Sequence, residues 1–211
     1  MLKVADLHCE RDERVLFSAL HLAVQPGQVW QVQGANGSGK TTLLRILCGL
    51  NDEFSGQICW EDQPITQNLE RFRQAMFYLG HNPAINKTLT PLQNLRWFCA
   101  SYGFADDEAI YAALAVQGLS GYEHLPCYQM SAGQQRRVSL TRLQLSPARL
   151  WILDEPFTAL DRQAVRDLEE RIAAKVAAGG SVLLTTHHPL QMDCHLDVIN
   201  LDALAARREA H

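Results

Sequence analysis

Long hydrophobic runs are absent from this sequence, since no uncharged apolar stretch approaches the roughly 20 residues of a membrane-spanning helix. Residues 1–6 also lack the apolar core of a signal peptide. Lys and Arg total 19 against 23 Asp and Glu, giving a net charge of −4, and no long basic run is present. These features argue against nucleic-acid binding. We therefore expect a chain without its own membrane span or a nucleic-acid partner.

Cysteine is present six times but never in C-x-x-C spacing, so neither a zinc site nor a redox motif is indicated. The mostly apolar neighbours of these cysteines suit a reducing compartment. The 211 residues are 47% hydrophobic and 20% charged, an ordinary globular balance. This length fits one large domain or a core with a small insertion.

Apolar periodicity predicts strands and helices that alternate at both ends of the chain around a helical middle. The predicted strands are Leu2–Leu7, Leu20–Val24, Val29–Gln33, Gln57–Trp60, Arg149–Leu153 and Ser181–Thr186. The predicted helices are Lys40–Leu50, a stretch from about Leu89 to Leu119 broken near Gly103, and Gln163–Ala178. This order favours an α/β sheet with an inserted helical subdomain.

A glycine-rich segment between a predicted strand and a predicted helix matches the pattern G-x-x-x-x-G-K-[ST]. It consists of Gly34, Ala35, Asn36, Gly37, Ser38, Gly39, Lys40 and Thr41, with Thr42 next in the helix. Such a loop points backbone N–H groups at phosphates, and the helix N-terminus adds positive potential. Lys40 can reach the β and γ phosphates and the Thr41 hydroxyl can bind Mg²⁺, so the segment predicts ATP and Mg²⁺ as ligands. Kinases, GTPases and helicases remain open at this point.

Two acids end the apolar strand that follows residue 148. Asp154 is expected to hold the Mg²⁺ through water, and Glu155 to act as general base toward the attacking water. A solvated acidic turn is the alternative for such a pair, and the phosphate loop makes the catalytic interpretation the stronger one.

The segment from Met130 to Arg137 precedes an apolar helix that Ser131 can cap. From the residues alone, a simple capped helix explains it. The segment nevertheless resembles the LSGGQ signature of ABC ATPases, with Met130 for Leu and Ala132 for the first Gly. Residues 157–161, ending in Asp161, resemble the D-loop of that family, and His187 matches its switch histidine.

The resemblance covers essentially the whole chain and implies several properties. The fold would be a P-loop NTPase (RecA-like) core with an N-terminal antiparallel β lobe and an inserted α-helical subdomain. The core would comprise residues 1–82 and 137–211 of a single domain, and the subdomain about residues 83–136. Two copies would form a head-to-tail homodimer, in which Lys40, Glu155 and His187 are catalytic. The other subunit's ATP would contact Ser131, Ala132, Gly133 and Gln134.

A closer resemblance is to the ATP-binding export proteins of cytochrome c maturation. It rests on residues 9–14 (CERDER), 78–81 (YLGH), 131–137 (SAGQQRR) and 185–187 (TTH). It implies an ATP-hydrolysing subunit that sits peripherally on the cytoplasmic face of the bacterial inner membrane. Its partners would be integral membrane transporter subunits, and its pathway would be heme export or heme-chaperone handling.

Two positions depart from the wider ABC pattern. His81 stands where the Q-loop has glutamine, and it lacks the carbonyl oxygen that hard Mg²⁺ prefers. Arg11 falls where the family places an aromatic residue against adenine; its guanidinium could stack on the base, or it could be a solvated loop charge.

Other functional classes stay open but fit less well. A soluble ABC ATPase of translation or DNA repair would usually carry two cassettes or long insertions. A small-molecule kinase would not explain residues 131–137 and His187, and ABC ATPases for other exported substrates share all these motifs.

Overall fold

In the computed structural model, which describes residues 1–103, 106–192 and 194–206, the chain forms two sheets and seven α-helices in these ranges. The strands are β1 (Leu2–Arg11), β2 (Arg14–Val24), β3 (Val29–Gln33), β4 (Ser55–Trp60), β5 (Gln63–Pro64), β6 (Met76–Leu79), β7 (Leu150–Asp154), β8 (Ser181–Thr185) and β9 (Leu196–Asn200). The helices are α1 (Lys40–Leu47), α2 (Leu69–Ala75), α3 (Pro91–Ser101), α4 (Asp107–Val116), α5 (Ala132–Leu145), α6 (Arg162–Ala177) and α7 (Leu201–Ala206).

The two sheets differ in strand direction. One has four antiparallel strands in the order β2-β1-β4-β5, and the other has five strands in the order β6-β7-β8-β3-β9, whose neighbouring pairs are parallel. The predicted α/β fold with an N-terminal antiparallel lobe is thereby confirmed. Within the described ranges, no helix is long and apolar enough to cross a membrane.

Alternation along the central strands divides their side chains between two hydrophobic cores. Leu150 and Ile152 pack into a core shared with the antiparallel lobe and α1. Trp151 and Leu153 point the other way, into a core shared with α3, α5 and α6. A sheet covered on both faces needs apolar residues at every position, which explains the continuous apolar run of β7.

Several sequence-based boundaries were wrong, each for a local reason. The β1–β2 hairpin continues to Arg11 and resumes at Arg14, because Asp12 and Glu13 take left-handed φ values of 51° and 62° and form a two-residue turn. The predicted helix 40–50 ends at Leu47, before the left-handed Gly49.

Other elements gave no recognised signal. The sequence did not predict α2, β5, β6, β9 or α7, which are short and become stable through packing rather than through their own periodicity. Helix α5 runs without a break across residue 136, where the predicted subdomain boundary fell. The division into residues 1–82, about 83–136 and 137–211 stays a prediction.

Candidate nucleotide site

The phosphate loop lies between the carboxyl end of β3 and the start of α1, at the edge of the sheet where ligands bind in open parallel α/β folds. Gly39 is left-handed (φ 97°), and a Cβ there would come within 3.0 Å of the Leu16 side chain. A Cβ on Gly34 would come within 2.4 Å of the Ser38 hydroxyl. The tight curl of the loop therefore requires glycine at both positions.

Lys40 lies folded over the loop. Its Nζ donates to the carbonyl oxygens of Gly34 at 2.8 Å and Ala35 at 3.1 Å. Within the described part of the chain, no side chain caps α1, so its first N–H groups are available to a ligand. The loop can thus present a cation and unpaired donors to an anion.

Asp154, at the end of β7, is 2% exposed and accepts two hydrogen bonds from side-chain hydroxyls. The Thr41 hydroxyl donates to its Oδ2 at 2.8 Å, and the Thr185 hydroxyl donates to its Oδ1 at 2.7 Å. These hydroxyl and carboxylate oxygens are the hard donors that Mg²⁺ prefers, so Thr41 and Asp154 fit the predicted metal.

Glu155 directs its carboxylate into the same cleft. Its Oε2 accepts from the His187 N–H at 3.3 Å, and its Oε1 lies 3.6 Å from His187 Nε2. Oε1 is buried and has no hydrogen-bond partner among the described residues. This unpartnered carboxylate oxygen can therefore accept a hydrogen bond from a water bound in the cleft.

These side chains share one cleft of about 700 Å³. The predicted site residues that line it are Arg11, Asn36, Gly37, Gly39, Lys40, Thr41, Thr42, His81, Asp154, Glu155 and His187. Its lining also includes Asp12, Arg14, Leu16 and Thr158, to which the sequence assigned no individual role in the site. The structure therefore brings together the phosphate loop, both acids, His81, the switch histidine and the hairpin that carries Arg11.

The segment with the ABC-like signature lies apart from this cleft, whose lining does not include any of residues 131–134. Ser131 caps α5 by accepting from the Gln134 N–H at 3.2 Å, and Gln134 Oε1 accepts from the Ser131 N–H at 2.9 Å. Asp161 caps α6 through the Ala164 N–H, which is the largest cause of its lowered pKa. Asp161 also pairs with Arg137, so the D-loop candidate is tied to α5.

Asp202 on α7 was missed by sequence reasoning. Both of its carboxylate oxygens accept from the Ala35 N–H, at 2.9 and 3.2 Å, and so hold the first turn of the phosphate loop. An aspartate near the end of a chain carries no recognisable signal for this contact.

Comparison with known proteins decides the family. The model of the ABC transporter family matches residues 17–158, which is more than half of the chain. A cytochrome c biogenesis ATP-binding export protein CcmA from Hahella chejuensis is 44% identical over 205 residues, covering 97% of both chains. The protein of the same name from Yersinia pestis is 49% identical over 195 residues, covering 92% of this chain and 89% of that one.

The chain belongs to the CcmA family of ABC transporter ATP-binding proteins. Among solved structures, an ATP-binding subunit of an ABC transporter superposes with a TM-score of 0.80 at 27% identity, covering 89% of this chain and 79% of that one. A dimeric ATP-binding cassette with ADP and phosphate bound, in a post-hydrolysis state, has a TM-score of 0.78 at 21% identity and covers 89% and 88%. Both likenesses confirm the ABC ATPase fold.

Proposed function

We propose that this chain hydrolyses ATP as the energy-coupling subunit of a transport complex for c-type cytochrome biogenesis, handling heme or a heme chaperone. The observation that carries the proposal is the convergence of Lys40, Asp154, Glu155 and His187 on one cleft of about 700 Å³. The names of the CcmA relatives support the pathway.

In the proposed reaction, Lys40 leaves the carbonyls of its own loop and binds the β and γ phosphates, while the free N–H groups of α1 hold their oxygens. Glu155 Oε1 accepts a proton from a water whose oxygen attacks the γ phosphorus, and the bond from that phosphorus to the β–γ bridging oxygen breaks. ADP and phosphate result. His187 holds the Glu155 carboxylate in place and stabilises the negative charge that develops on the phosphate oxygens.

Mg²⁺ would be held by Thr41 and by Asp154, the latter through water, and when bound it neutralises phosphate charge. Thr185 holds the other oxygen of Asp154 and thereby fixes its orientation. Arg11 and Arg14 of the β1–β2 hairpin also line the cleft. We propose that the Arg11 guanidinium stacks on the adenine base of ATP.

We propose that the working form is a head-to-tail homodimer in which Ser131, Ala132, Gly133 and Gln134 of one copy complete the ATP site of the other. The support is geometric: the signature segment does not line its own cleft, and a two-fold arrangement supplies both halves twice. One solved structure with the same fold, the ATP-binding cassette with ADP and phosphate bound, is dimeric.

A groove of about 240 Å³ on the helical subdomain is our candidate for contact with an integral membrane subunit at the cytoplasmic face of the inner membrane. Ile85, Leu89 and Phe98 line it together with Trp97, whose side chain is 75% exposed. An exposed apolar lining of this kind is typical of a docking surface. Crosslinks from residue 86 to copurified membrane subunits would support the assignment, and crosslinks confined to other faces would contradict it.

Complementation tests the proposed pathway. A strain whose own copy is replaced by Lys40→Ala should lose c-type cytochromes while other transport continues. A purified Lys40→Ala protein should fold but release no phosphate from ATP. Normal cytochrome c levels in that strain would contradict the heme pathway, whereas phosphate release by the variant would contradict the assigned site.

A further inference from the structure

Arg136 is a buried cation on α5, only 3% exposed. Its Nη2 donates to the main-chain carbonyl of Glu155 at 2.8 Å. Its Nη1 donates to the carbonyls of Gly80 at 3.2 Å and His81 at 3.3 Å. One guanidinium thus joins the segment after β7 to the segment after β6.

Burying this charge costs free energy, because the guanidinium leaves water without a carboxylate in salt-bridge contact among the residues described. Burial lowers the pKa of Arg136 from its usual value, and the charge of Asp154 acts in the opposite direction. Its Nε also lacks a hydrogen-bond partner in the described ranges. The Arg136 guanidinium is therefore held only by main-chain carbonyl oxygens among the described residues, where two loops of the site meet.

The backbone of Glu155 is strained where Arg136 binds it. Its φ is 48°, a left-handed value that costs a non-glycine residue about 1–3 kcal/mol. Such a conformation persists only when its surroundings hold it. The Glu155 N–H donates to Thr185 Oγ1 at 3.0 Å and to the Thr185 carbonyl at 3.2 Å. The Glu155 carbonyl accepts from Arg136 Nη2 at 2.8 Å and, at the longer distance of 3.3 Å, from the Thr158 N–H. The peptide groups on both sides of Glu155 are therefore held by hydrogen bonds, and their fixed orientation sets the direction of the carboxylate.

Further along α5, the same helix grips the rest of the loop that contains His81. Ser139 Oγ donates to the Pro83 carbonyl at 2.6 Å. Arg142 donates to the Pro83 carbonyl at 2.7 Å and to Ala84 at 3.4 Å. Side chains of α5 therefore bond the main chain of residues 80–84 at several points, and Arg136 also bonds the main chain of Glu155.

We propose that Arg136 is a positioning residue: its guanidinium holds the left-handed main chain of Glu155 against the loop of residues 80–84 and thereby aims the Glu155 carboxylate. The proposal rests on the proposed ATP hydrolysis. Through Glu155, it connects the proposed general base to α5, the helix whose N-terminus carries Ser131.

The test compares Arg136→Gln with wild type in the full-length chain, by phosphate release over a range of Mg-ATP concentrations. Glutamine carries one amide and cannot reach carbonyls on both loops. We expect kcat to fall about 10- to 100-fold, the cost of misplacing a catalytic group by about 1 Å. KM should stay within about threefold, since the phosphate loop is untouched. Arg136→Lys, which keeps a charged donor, should recover part of kcat.

Arg171→Gln is the matched control, because Arg171 is a half-buried arginine on α6 that bonds Gln144 outside the site. It should lower Tm without lowering kcat. A wild-type kcat in Arg136→Gln would overturn the inference, as would equal losses of kcat in both glutamine variants. If wild type itself releases no phosphate, the proposed function fails instead. Amide exchange then still decides the inference, since Arg136→Gln should speed exchange at Glu155 but not in β3.

Discussion

Two helix N-termini in this chain carry glycine-containing motifs, yet they differ in what their backbone donors do. At α1 the described residues provide no side-chain cap, and the N-terminus opens into the cleft. At α5 a capping box occupies donors of the first turn, through the mutual contacts of Ser131 and Gln134. The first is built to hold an anion by itself, whereas the second is already satisfied within its own chain.

This difference explains why one copy has only half of each proposed site. The α1 end gathers Lys40, Asp154 and Glu155 around it, while the α5 end is exposed at Ser131 and Ala132. In the proposed dimer, the anion that reaches α5 is the nucleotide bound by the second copy. The comparison therefore predicts that nucleotide binding and dimer formation can be separated by mutation.

The largest expected effect comes from Glu155→Gln. Glutamine keeps the size of Glu155 but cannot accept the proton of water, so turnover should fall by about 10²- to 10⁴-fold. Because ATP is not cleaved, its phosphates should continue to bridge the N-terminus of α1 in one copy and that of α5 in the other, and the dimer should accumulate. Light scattering with excess ATP measures this. A variant that binds ATP but stays monomeric, even beside its membrane partner, would break the comparison.

Ser131→Asp sharpens the comparison at the other helix. Aspartate caps α5 as well as serine does, but its charge repels the γ phosphate of the partner's nucleotide. We expect turnover and ATP-dependent dimer formation to fall at least about tenfold. Equilibrium binding of ATP to the monomer should not change. Ser131→Asn is the neutral control with the same cap, and equal defects in both variants would argue against an anion at this position.

A smaller effect is expected from Arg11→Ala, which removes the residue that we propose contacts the adenine base. An exposed cation on an aromatic face is worth about 0.5–1 kcal/mol, so ATP affinity should fall about two- to fivefold. Affinity for inorganic triphosphate, which has no base, should stay the same. Isothermal titration with both ligands measures the contrast. Parallel losses for both would place Arg11 at the phosphates instead.

The smallest effect is expected from His81→Gln. Histidine 81 lines the cleft, and glutamine restores the side chain that the wider family carries there. ATP affinity should be unchanged and kcat should stay within about threefold. Steady-state kinetics with titrated ATP measures both. A collapse of kcat would instead give the imidazole a role of its own, such as a pH-sensitive one.

Local chemistry explains which parts of the site were predictable. The phosphate loop can be predicted because glycines, a lysine and a hydroxyl in fixed spacing perform their role within eight consecutive residues. Glu155 follows from its position after an apolar strand. Arg14, Asp202 and Thr185 could not be predicted in the same way, since they reach the site from the hairpin, from α7 and from β8.

Helix α5 shows the same division within one segment. Its start at Ser131 was predictable, because a capping box is a contact between neighbours three residues apart. The role of Arg136 was not, since its acceptors lie 19, 55 and 56 residues away.

The sequence by itself predicted the α/β class, the phosphate loop and the two acids, because these depend on periodicity and on residues close together along the chain. Its motifs indicated the family by resemblance. Only the tertiary structure decided how Glu155 is held, with its N–H on Thr185 and its carbonyl on Arg136. The tertiary structure also places the signature segment away from the cleft of its own chain, which the family resemblance had implied. Backbone strain and burial depend on which distant segments meet, and that is a property of the packed chain.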